Sequence, residues 1–310
     1  IIGTRATDWV DGGAGDDYYL GGNSADFYVF GAGDGHDVID EYGPEQRGDN
    51  DIFILIDERD WVKFDDDINF DDLTFVRSEN LQDLIITHVP SGSTLTIKEQ
   101  FTATNTGPFG VEWFNRIELF SFDSDGRLLT DTDIMELMLG GTAGNDTIAG
   151  FYRQDTMTDT AGDDTYSGGD DGDTYIFGRD GGSNTIEDAQ TNVLTTTPDK
   201  IVFSGDIDPS EVELSRVPNT NDLLISLTDG STSILVKDQF SFLNTGPFGI
   251  QWFDRIETIE FQSDPSTIWT YEYVMSRILS EGKTDGDELI QGFYRQDTLD
   301  GGMGDDTLNG

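Results

Sequence analysis

The sequence predicts an all-β fold in which stacked parallel strands alternate with small β-rich modules in an elongated tandem repeat. Two repeats lead to this prediction. A nine-residue frame of glycines followed by an aspartate recurs in three blocks of the 310-residue chain, and residues 12–20, GGAGDDYYL, match it completely. In a longer repeat, residues 81–118 align with residues 220–257. Each longer unit contains one block and one module, and the chain holds roughly two units.

Each position of the nine-residue frame has a physical role. Glycine at the first, second and fourth positions lets the backbone turn with positive φ. The last three residues form a short strand whose middle side chain is apolar or aromatic and points inward. Successive repeats therefore build a flattened spiral of turns and strands. The predicted inward residues are Val10, Tyr19, Tyr28, Ile39, Ile148, Met157, Tyr166, Tyr175, Ile186, Ile290, Leu299 and Leu308.

The sixth position of the frame carries an oxygen ligand in every repeat. Carboxylate oxygens are hard donors of the kind that calcium prefers. Ala6 and Ser24 replace the glycine of the fourth position, and the amide of Asn184 is a neutral ligand. The predicted ligands of several calcium ions are Asp8, Asp17, Asp26, Asp37, Asp146, Asp155, Asp164, Asp173, Asn184, Glu288, Asp297 and Asp306.

These blocks resemble the RTX, or haemolysin-type calcium-binding repeat, family. The resemblance implies a parallel β-roll in which two repeats complete one turn and each ion lies between repeat n and repeat n+2. Carried onto this sequence, it pairs Asp8 with Asp26, Asp17 with Asp37, Asp146 with Asp164, Asp155 with Asp173, and Glu288 with Asp306.

Two turns with the sequence GFYRQD depart from the frame. Phe151 to Gln154 and Phe293 to Gln296 occupy positions where glycines are expected. We expect Phe151, Tyr152 and Arg153 to cover the junction between the β-roll and the preceding module. The alternative is a degenerate calcium turn.

Each module is predicted to consist mainly of strands and to be closed by one short helix. Strand patterns occur at residues 73–77, 83–88 and 94–98, and the helices follow Thr130 and Thr270. Ile134, Leu137 and Met138 are expected on the apolar face of the first helix. The modules resemble the haemolysin-type calcium-binding protein related domain. The predicted segments are roll blocks at 1–41, 140–188 and 282–310, and modules at 42–139 and 189–281.

The charge of the chain indicates that a cation is needed for folding. There are 62 acidic and 17 basic residues, which gives a net charge of −45. Carboxylates packed into adjacent turns repel one another, so the calcium-free repeats are expected to be expanded. Such a surface disfavours nucleic acid and anionic membranes as partners. There is no cysteine for disulfides and no apolar run long enough for a spanning helix.

No constellation in the sequence predicts catalysis, so we expect no enzyme activity from this chain. His36 lies in a turn and His88 at the end of a strand, and the carboxylates are explained by calcium or solvent. The RGD tripeptide at 47–49 is weak evidence for adhesion. The two NTGPFG loops, at 105–110 and 244–249, are expected to dock the ring pairs Trp113–Phe114 and Trp252–Phe253 on the module core, the alternative being a ligand site.

The sequence therefore predicts a calcium-binding structural or adhesive segment of a secreted or cell-surface bacterial protein. The family resemblance implies export by type I secretion, and neighbouring repeats of the same protein are expected as partners. A cell-surface or carbohydrate ligand is a further expectation. Two alternatives remain open, a C-terminal calcium domain of an RTX toxin or secreted hydrolase, and a carbohydrate-binding module. The chain begins and ends inside the frame, and we expect it to be a piece of a longer protein.

Overall fold

The computed structural model describes the chain except for residues 5, 23, 42–58, 106–110, 114–115, 189–196, 245–249, 252–254 and 294–296. It divides into two compact units, Ile1–Met138 and Leu139–Gly310. Strands dominate both units, and the described residues contain only two α-helices and two short 3-10 helices. The prediction of an all-β fold with parallel sheets is confirmed.

In the first unit, the strands of the nine-residue frame alternate between two sheets. The first sheet has the order β1 (Trp9–Asp11), β3 (Phe27–Phe30), β5 (Trp61–Phe64), β11 (Leu119–Phe122) and β12 (Leu128–Thr130). The second has the order β2 (Tyr18–Leu20), β4 (His36–Asp40), β8 (Ser93–Ile97), β7 (Leu84–His88) and β6 (Leu73–Arg77). A separate hairpin pairs β9 (Ala103–Asn105) with β10 (Val111–Trp113). Only the module ends of the two sheets are antiparallel.

The second unit repeats this arrangement. One sheet has the order β14 (Thr156–Thr158), β16 (Thr174–Phe177), β18 (Asp199–Phe203), β24 (Ile256–Phe261) and β25 (Ile268–Thr270). The other has the order β13 (Thr147–Ala149), β15 (Thr165–Ser167), β17 (Gly182–Ile186), β21 (Thr232–Val236), β20 (Leu223–Leu227) and β19 (Val212–Arg216). Two small pairs are formed by β22 (Leu243–Asn244) with β23 (Ile250–Gln251), and by β26 (Leu289–Gln291) with β27 (Thr307–Asn309).

The strand register follows the nine-residue frame. Tyr28 lies beside Val10 in the first unit, and Tyr166 lies beside Ile148 in the second. Both pairs join repeat n to repeat n+2 in parallel. The prediction that two repeats complete one turn of a parallel β-roll is therefore confirmed.

The core lies between the two sheets of each unit. All but two of the predicted inward residues are buried, and four tyrosines of the frame are among the largest fully buried side chains, namely Tyr19, Tyr28, Tyr166 and Tyr175. Leu299 is half-buried and Leu308 is exposed. Leu308 lies on β27, which belongs to a sheet of only two strands within the described chain.

Both sheets continue from the roll into the module. In the first unit β5 pairs in parallel with β3, and β8 pairs in parallel with β4. In the second unit β18 and β21 extend the roll sheets in the same way. Each unit therefore has sheets shared by glycine turns and module strands. The five segments predicted from the sequence remain a prediction. In each unit, both sheets run across the predicted boundary between the roll and the module.

The two helices are α1 (Asp131–Met138) and α2 (Tyr271–Glu281). At the start of α1, the Thr130 hydroxyl accepts from the Asp133 N–H at 3.2 Å and the Asp133 carboxylate accepts from the Thr130 N–H at 2.7 Å. This reciprocal pair is a capping box. Ile134 and Met135 are buried, but Leu137 is 46% exposed, so its predicted place on the apolar face was wrong. At 100° per residue, Leu137 lies about 160° around the helix from Met135, so it cannot lie on the face that Met135 helps to bury.

A buried glutamine ties the strands of each module together. Gln239 Nε2 donates to the Ile256 carbonyl at 2.8 Å, and Gln239 Oε1 accepts from the Ile256 N–H at 2.9 Å. Gln100 makes the same two bonds with Ile117. The amide thus gives two buried backbone groups a hydrogen-bond partner.

We predict that Gln239→Ala lowers the free energy of unfolding by about 2–4 kcal/mol, because it leaves both backbone groups of Ile256 buried without a partner. Gln262→Ala is the matched control, since the Gln262 side chain is exposed. Urea unfolding in saturating calcium measures both variants. Equal stabilities for the two variants would contradict the role of Gln239.

Candidate calcium sites

The sixth-position residues are joined from one coil to the next by a hydrogen bond, which we call the sixth-position ladder. In each case the backbone N–H of the earlier residue donates to the side chain of the later one. The ladder joins Asp8 to Asp26 (2.8 Å), Asp17 to Asp37 (2.9 Å), Asp146 to Asp164 (2.8 Å), Asp155 to Asp173 (2.8 Å), Asp164 to Asn184 (2.9 Å) and Glu288 to Asp306 (3.0 Å). The structure therefore places the members of all five predicted pairs in adjacent coils.

The second oxygen of these carboxylates faces the turn. Asp146 Oδ2 accepts from the Thr142 N–H at 2.6 Å, and Asp297 Oδ2 accepts from the Phe293 N–H at 2.6 Å. In Asp26 and Asp173 the same oxygen is buried and has no hydrogen-bond partner among the described residues. A carboxylate oxygen buried without a donor is costly unless a cation contacts it.

The turns also bring backbone carbonyls close together. A Cβ on Gly35 would collide with the carbonyl of Gly15, and a Cβ on Gly182 would collide with the carbonyl of Gly162. Both glycines have positive φ, 108° and 84°. The fourth-position glycines thus let consecutive turns meet backbone to backbone. Carbonyl and carboxylate oxygens lie together at these turns, and this donor set fits calcium.

A second ladder runs in the opposite direction at the fifth position. Asp16 Oδ1 accepts from the His36 N–H at 3.0 Å, and Asp163 Oδ1 accepts from the Ser183 N–H at 2.8 Å. Asp287 accepts from Asp305 in the same way at 2.8 Å. Sequence reasoning missed this role because it treated the fifth position as variable. The signal was present in the acidic pairs DD and DE at the fifth and sixth positions.

Burial raises the pKa of three ladder carboxylates, those of Asp26, Asp37 and Asp173. Loss of water raises the pKa of Asp26 to about 6 and that of Asp173 to about 9, and neighbouring acids add to both shifts. Burial also raises the pKa of Asp159 to about 7, beside Asp164. The ion-free fold therefore carries carboxyl groups that bind protons more tightly than the unfolded chain does.

The first GFYRQD turn differs from the glycine turns. None of its residues from Phe151 to Gln154 has positive φ, whereas Gly13 and Gly15 both do. Arg153 Nε lies 2.8 Å from Asp155 Oδ1. Phe151 is buried, but Tyr152 is 42% exposed, so one ring of the expected pair is buried. This turn supplies its own cation to the sixth-position acid.

The second GFYRQD turn packs on the module before it, within the second unit. The ring centroids of Phe293 and Phe240 are 4.7 Å apart, and the Arg216 guanidinium lies 5.4 Å from the centre of the Phe293 ring. Arg216 Nη1 also donates to the Gly292 carbonyl at 2.8 Å. Phe293 thus covers the module, while residues 294–296 lie outside the described chain.

Several features singled out in the sequence lie outside the described residues. These are the RGD tripeptide at 47–49, the NTGPFG loops apart from their first residue, and the side chains of the ring pairs Trp113–Phe114 and Trp252–Phe253. The expectations attached to them stay predictions. Within the described chain, neither helix combines the length and the apolar character that crossing a membrane requires.

Comparison with known proteins returns no matching family model and no matching curated protein. Among solved structures, the chain is similar to the extracellular lipase LipA from Serratia marcescens, with 14% sequence identity and a TM-score of 0.21. The alignment covers 76% of this chain and 35% of the lipase chain. The chain thus spans about a third of the length of that protein. The calcium assignment rests on the residues of this chain.

We predict that the calcium-free chain gains β structure when the pH falls from 9 to 5, because the folded state binds more protons than the unfolded state between about pH 4 and the raised pKa values of Asp26 and Asp173. Stability in EDTA therefore decreases as the pH rises through this range. Circular dichroism in EDTA, kept above the isoelectric point of about 4.1, checks this. A β signal that increases with pH would contradict it.

We predict that Phe293→Ala lowers the free energy of unfolding by about 3–5 kcal/mol, because a buried ring is lost from the module. The number of bound calcium ions should stay the same, since the ring contributes no oxygen. Phe242→Ala is the matched control, because Phe242 is 40% exposed. Urea unfolding and calorimetric ion counting measure both variants. Loss of an ion in Phe293→Ala would show that this turn is an ordinary calcium half-site.

Proposed function

We propose that this chain is a calcium-binding structural segment of a secreted bacterial protein, and that it folds when it meets extracellular calcium. The observation that supports this most directly is the sixth-position ladder. It brings one acid of each coil next to an acid of the following coil, as in Asp8 and Asp26. A cation between the turns removes the resulting repulsion and keeps the ladder.

The energetics favour coupling between ion binding and folding. Two unit charges about 4 Å apart repel by roughly 4 kcal/mol at an effective dielectric constant of 20. Several such pairs occur along the rolls, which is comparable with the whole stability of a domain of about 5–15 kcal/mol. Since the unfolded chain has no preformed site, the free energy of calcium binding becomes free energy of folding.

This coupling suits a protein that is exported before it folds. In a compartment with little calcium, the net charge of −45 keeps the chain expanded. Extracellular calcium modules bind with dissociation constants of roughly 10⁻⁴–10⁻³ M, which matches calcium outside the cell. The family resemblance, with its implied type I secretion, supports the same order of events.

The two units support a structural role. Each unit has the same succession of roll strands, module strands and closing helix. A repeated scaffold of this kind is suited to a stalk or an adhesive fibre, which is the role we propose, with neighbouring repeats of the same protein as its partners.

We expect calcium to drive folding, so the β signal in circular dichroism should be weak in EDTA and strong in millimolar calcium at pH 7.5. Magnesium at the same concentration is the control, because it demands a smaller octahedral site and retains its water. The proposal fails if the spectra in EDTA and in calcium are the same.

We also expect Asp17→Ala and Asp164→Ala each to remove at least one ion and to lower the calcium-dependent melting temperature. Each variant removes a sixth-position carboxylate, and the Asp164 carboxylate also accepts the ladder bond from the Asp146 N–H at 2.8 Å. Asp71→Ala is the matched control, because Asp71 is exposed and lies outside the frame. Isothermal calorimetry gives the ion counts. Equal counts for Asp164→Ala and the wild type would remove the basis of the assignment.

A further inference from the structure

Three acids meet where the roll of the first unit joins its module. Asp26 precedes β3, Glu41 follows β4, and Asp60 precedes β5. Each offers one carboxylate oxygen, and these oxygens all lie within 4.8 Å of one another. Only Asp26 belongs to the nine-residue frame. The other two come from sequence with no repeat pattern, so the frame does not predict their meeting.

The second unit contains the same arrangement. Asp173 directly precedes β16, Asp188 follows β17, and Asp199 is the first residue of β18. Their carboxylate oxygens also lie within 4.8 Å of one another, and all three residues are buried. Asp173, Asp188 and Asp199 occupy the places of Asp26, Glu41 and Asp60. We call the two groups the junction clusters.

The junction clusters contain buried oxygens that face no donor. Asp26, Glu41 and Asp173 are 1%, 5% and 0% exposed. Asp26 Oδ2, Glu41 Oε1 and Asp173 Oδ2 have no hydrogen-bond partner among the described residues. Each of these oxygens needs a positive partner, because a buried carboxylate loses its hydration and gains nothing in return.

The next acids along these series of hydrogen bonds are Glu118 and Glu257, and each of them lies near a positively charged arginine. Asp60 and Asp199 donate their N–H groups to Glu118 and Glu257, both at 2.8 Å. The Arg255 guanidinium lies 3.0 Å from the Glu257 carboxylate.

Two more arginines lie beside acids of these hydrogen-bonded series, Arg116 at the module end in the first unit and Arg153 at the roll end in the second. Arg116 lies 3.8 Å from the Glu118 carboxylate, and Arg153 lies 2.8 Å from that of Asp155. In the part of the chain that the structure describes, no lysine or arginine forms an ion pair with Asp26, Glu41, Asp60 or Asp173. In the second unit, arginine thus neutralises both ends of this series of hydrogen bonds and leaves its middle to another cation.

The geometry points to one divalent cation, preferably calcium, in each junction cluster, held by the frame aspartate and the two module acids. Oxygens bound to calcium at about 2.3–2.6 Å lie at most roughly 5 Å apart, as these do. The donors are all carboxylates, without the histidine or cysteine that zinc and copper prefer. This inference rests on the proposed function and deepens it, because the ion would fasten the last coil of the roll to the module.

The test removes the module acids and leaves the nine-residue frame intact. The variant Asp60→Asn with Asp199→Asn keeps side-chain volume and the oxygen that accepts from Asp26 and Asp173. We expect it to bind two calcium ions fewer than the wild type, measured by native mass spectrometry and calorimetry. The matched control is Asp83→Asn with Asp222→Asn, which changes equivalent acids of the two modules and should leave the count unchanged.

The outcomes separate this inference from the proposed function. If the Asp60 and Asp199 variant keeps every ion while Asp17→Ala loses one, the junction clusters hold no ion, they share protons instead, and the calcium function stands. If neither loses an ion, both ideas fail. Should the double variant not fold, terbium-soaked crystals of the wild type decide. An anomalous peak among Asp173, Asp188 and Asp199 supports the site, and its absence overturns it.

Discussion

The hydrogen bond from a sixth-position N–H to the carboxylate of the next coil determines how this chain stacks. It aligns strands that are only three to five residues long, such as β1 with β3, and each such pair would be marginal alone. The bond also buries one acid per coil beside another acid. The same hydrogen bond therefore stacks the coils and places their carboxylates close enough to repel one another. A cation between the coils is needed because both effects occur together.

The same bond continues beyond the glycine turns. Asp60 accepts from Asp26 at 2.7 Å, and Asp199 accepts from Asp173 at 2.7 Å, although neither acceptor belongs to a nine-residue repeat. The module strands β5 and β18 can therefore stack on the roll without a glycine turn of their own. This explains why sheets built from two different sequence patterns share one register, and why the buried aromatic rings pass from Phe30 to Phe64 without interruption.

The roll could be predicted from the sequence because the nine-residue period assigns each residue to a position in a turn or a strand. Nine-residue spacing puts Tyr19 and Tyr28 inside and Asp17 and Asp26 at the turns, whatever the neighbouring residues are. The junction clusters could not be predicted in this way, since 18 residues without a repeat separate Glu41 from Asp60. Only the three-dimensional path brings them together. The fifth-position ladder was missed for another reason, because a side chain that binds the neighbouring backbone tolerates Asp and Asn equally well.

Two kinds of cation serve the buried acids under the proposed function, and they differ in when they are present. The Arg153 guanidinium is covalently part of the chain and stays charged at every physiological pH, so Asp155 is neutralised before any ion arrives. Asp173, one coil further on, has no such residue among its described neighbours and depends on what the medium supplies. The hydrogen bonds and the terminal arginines of this ladder belong to the protein. The acids in the middle of the ladder take their cation from the surrounding solution. Under the proposed function, the calcium concentration around the chain then decides whether it is fully folded.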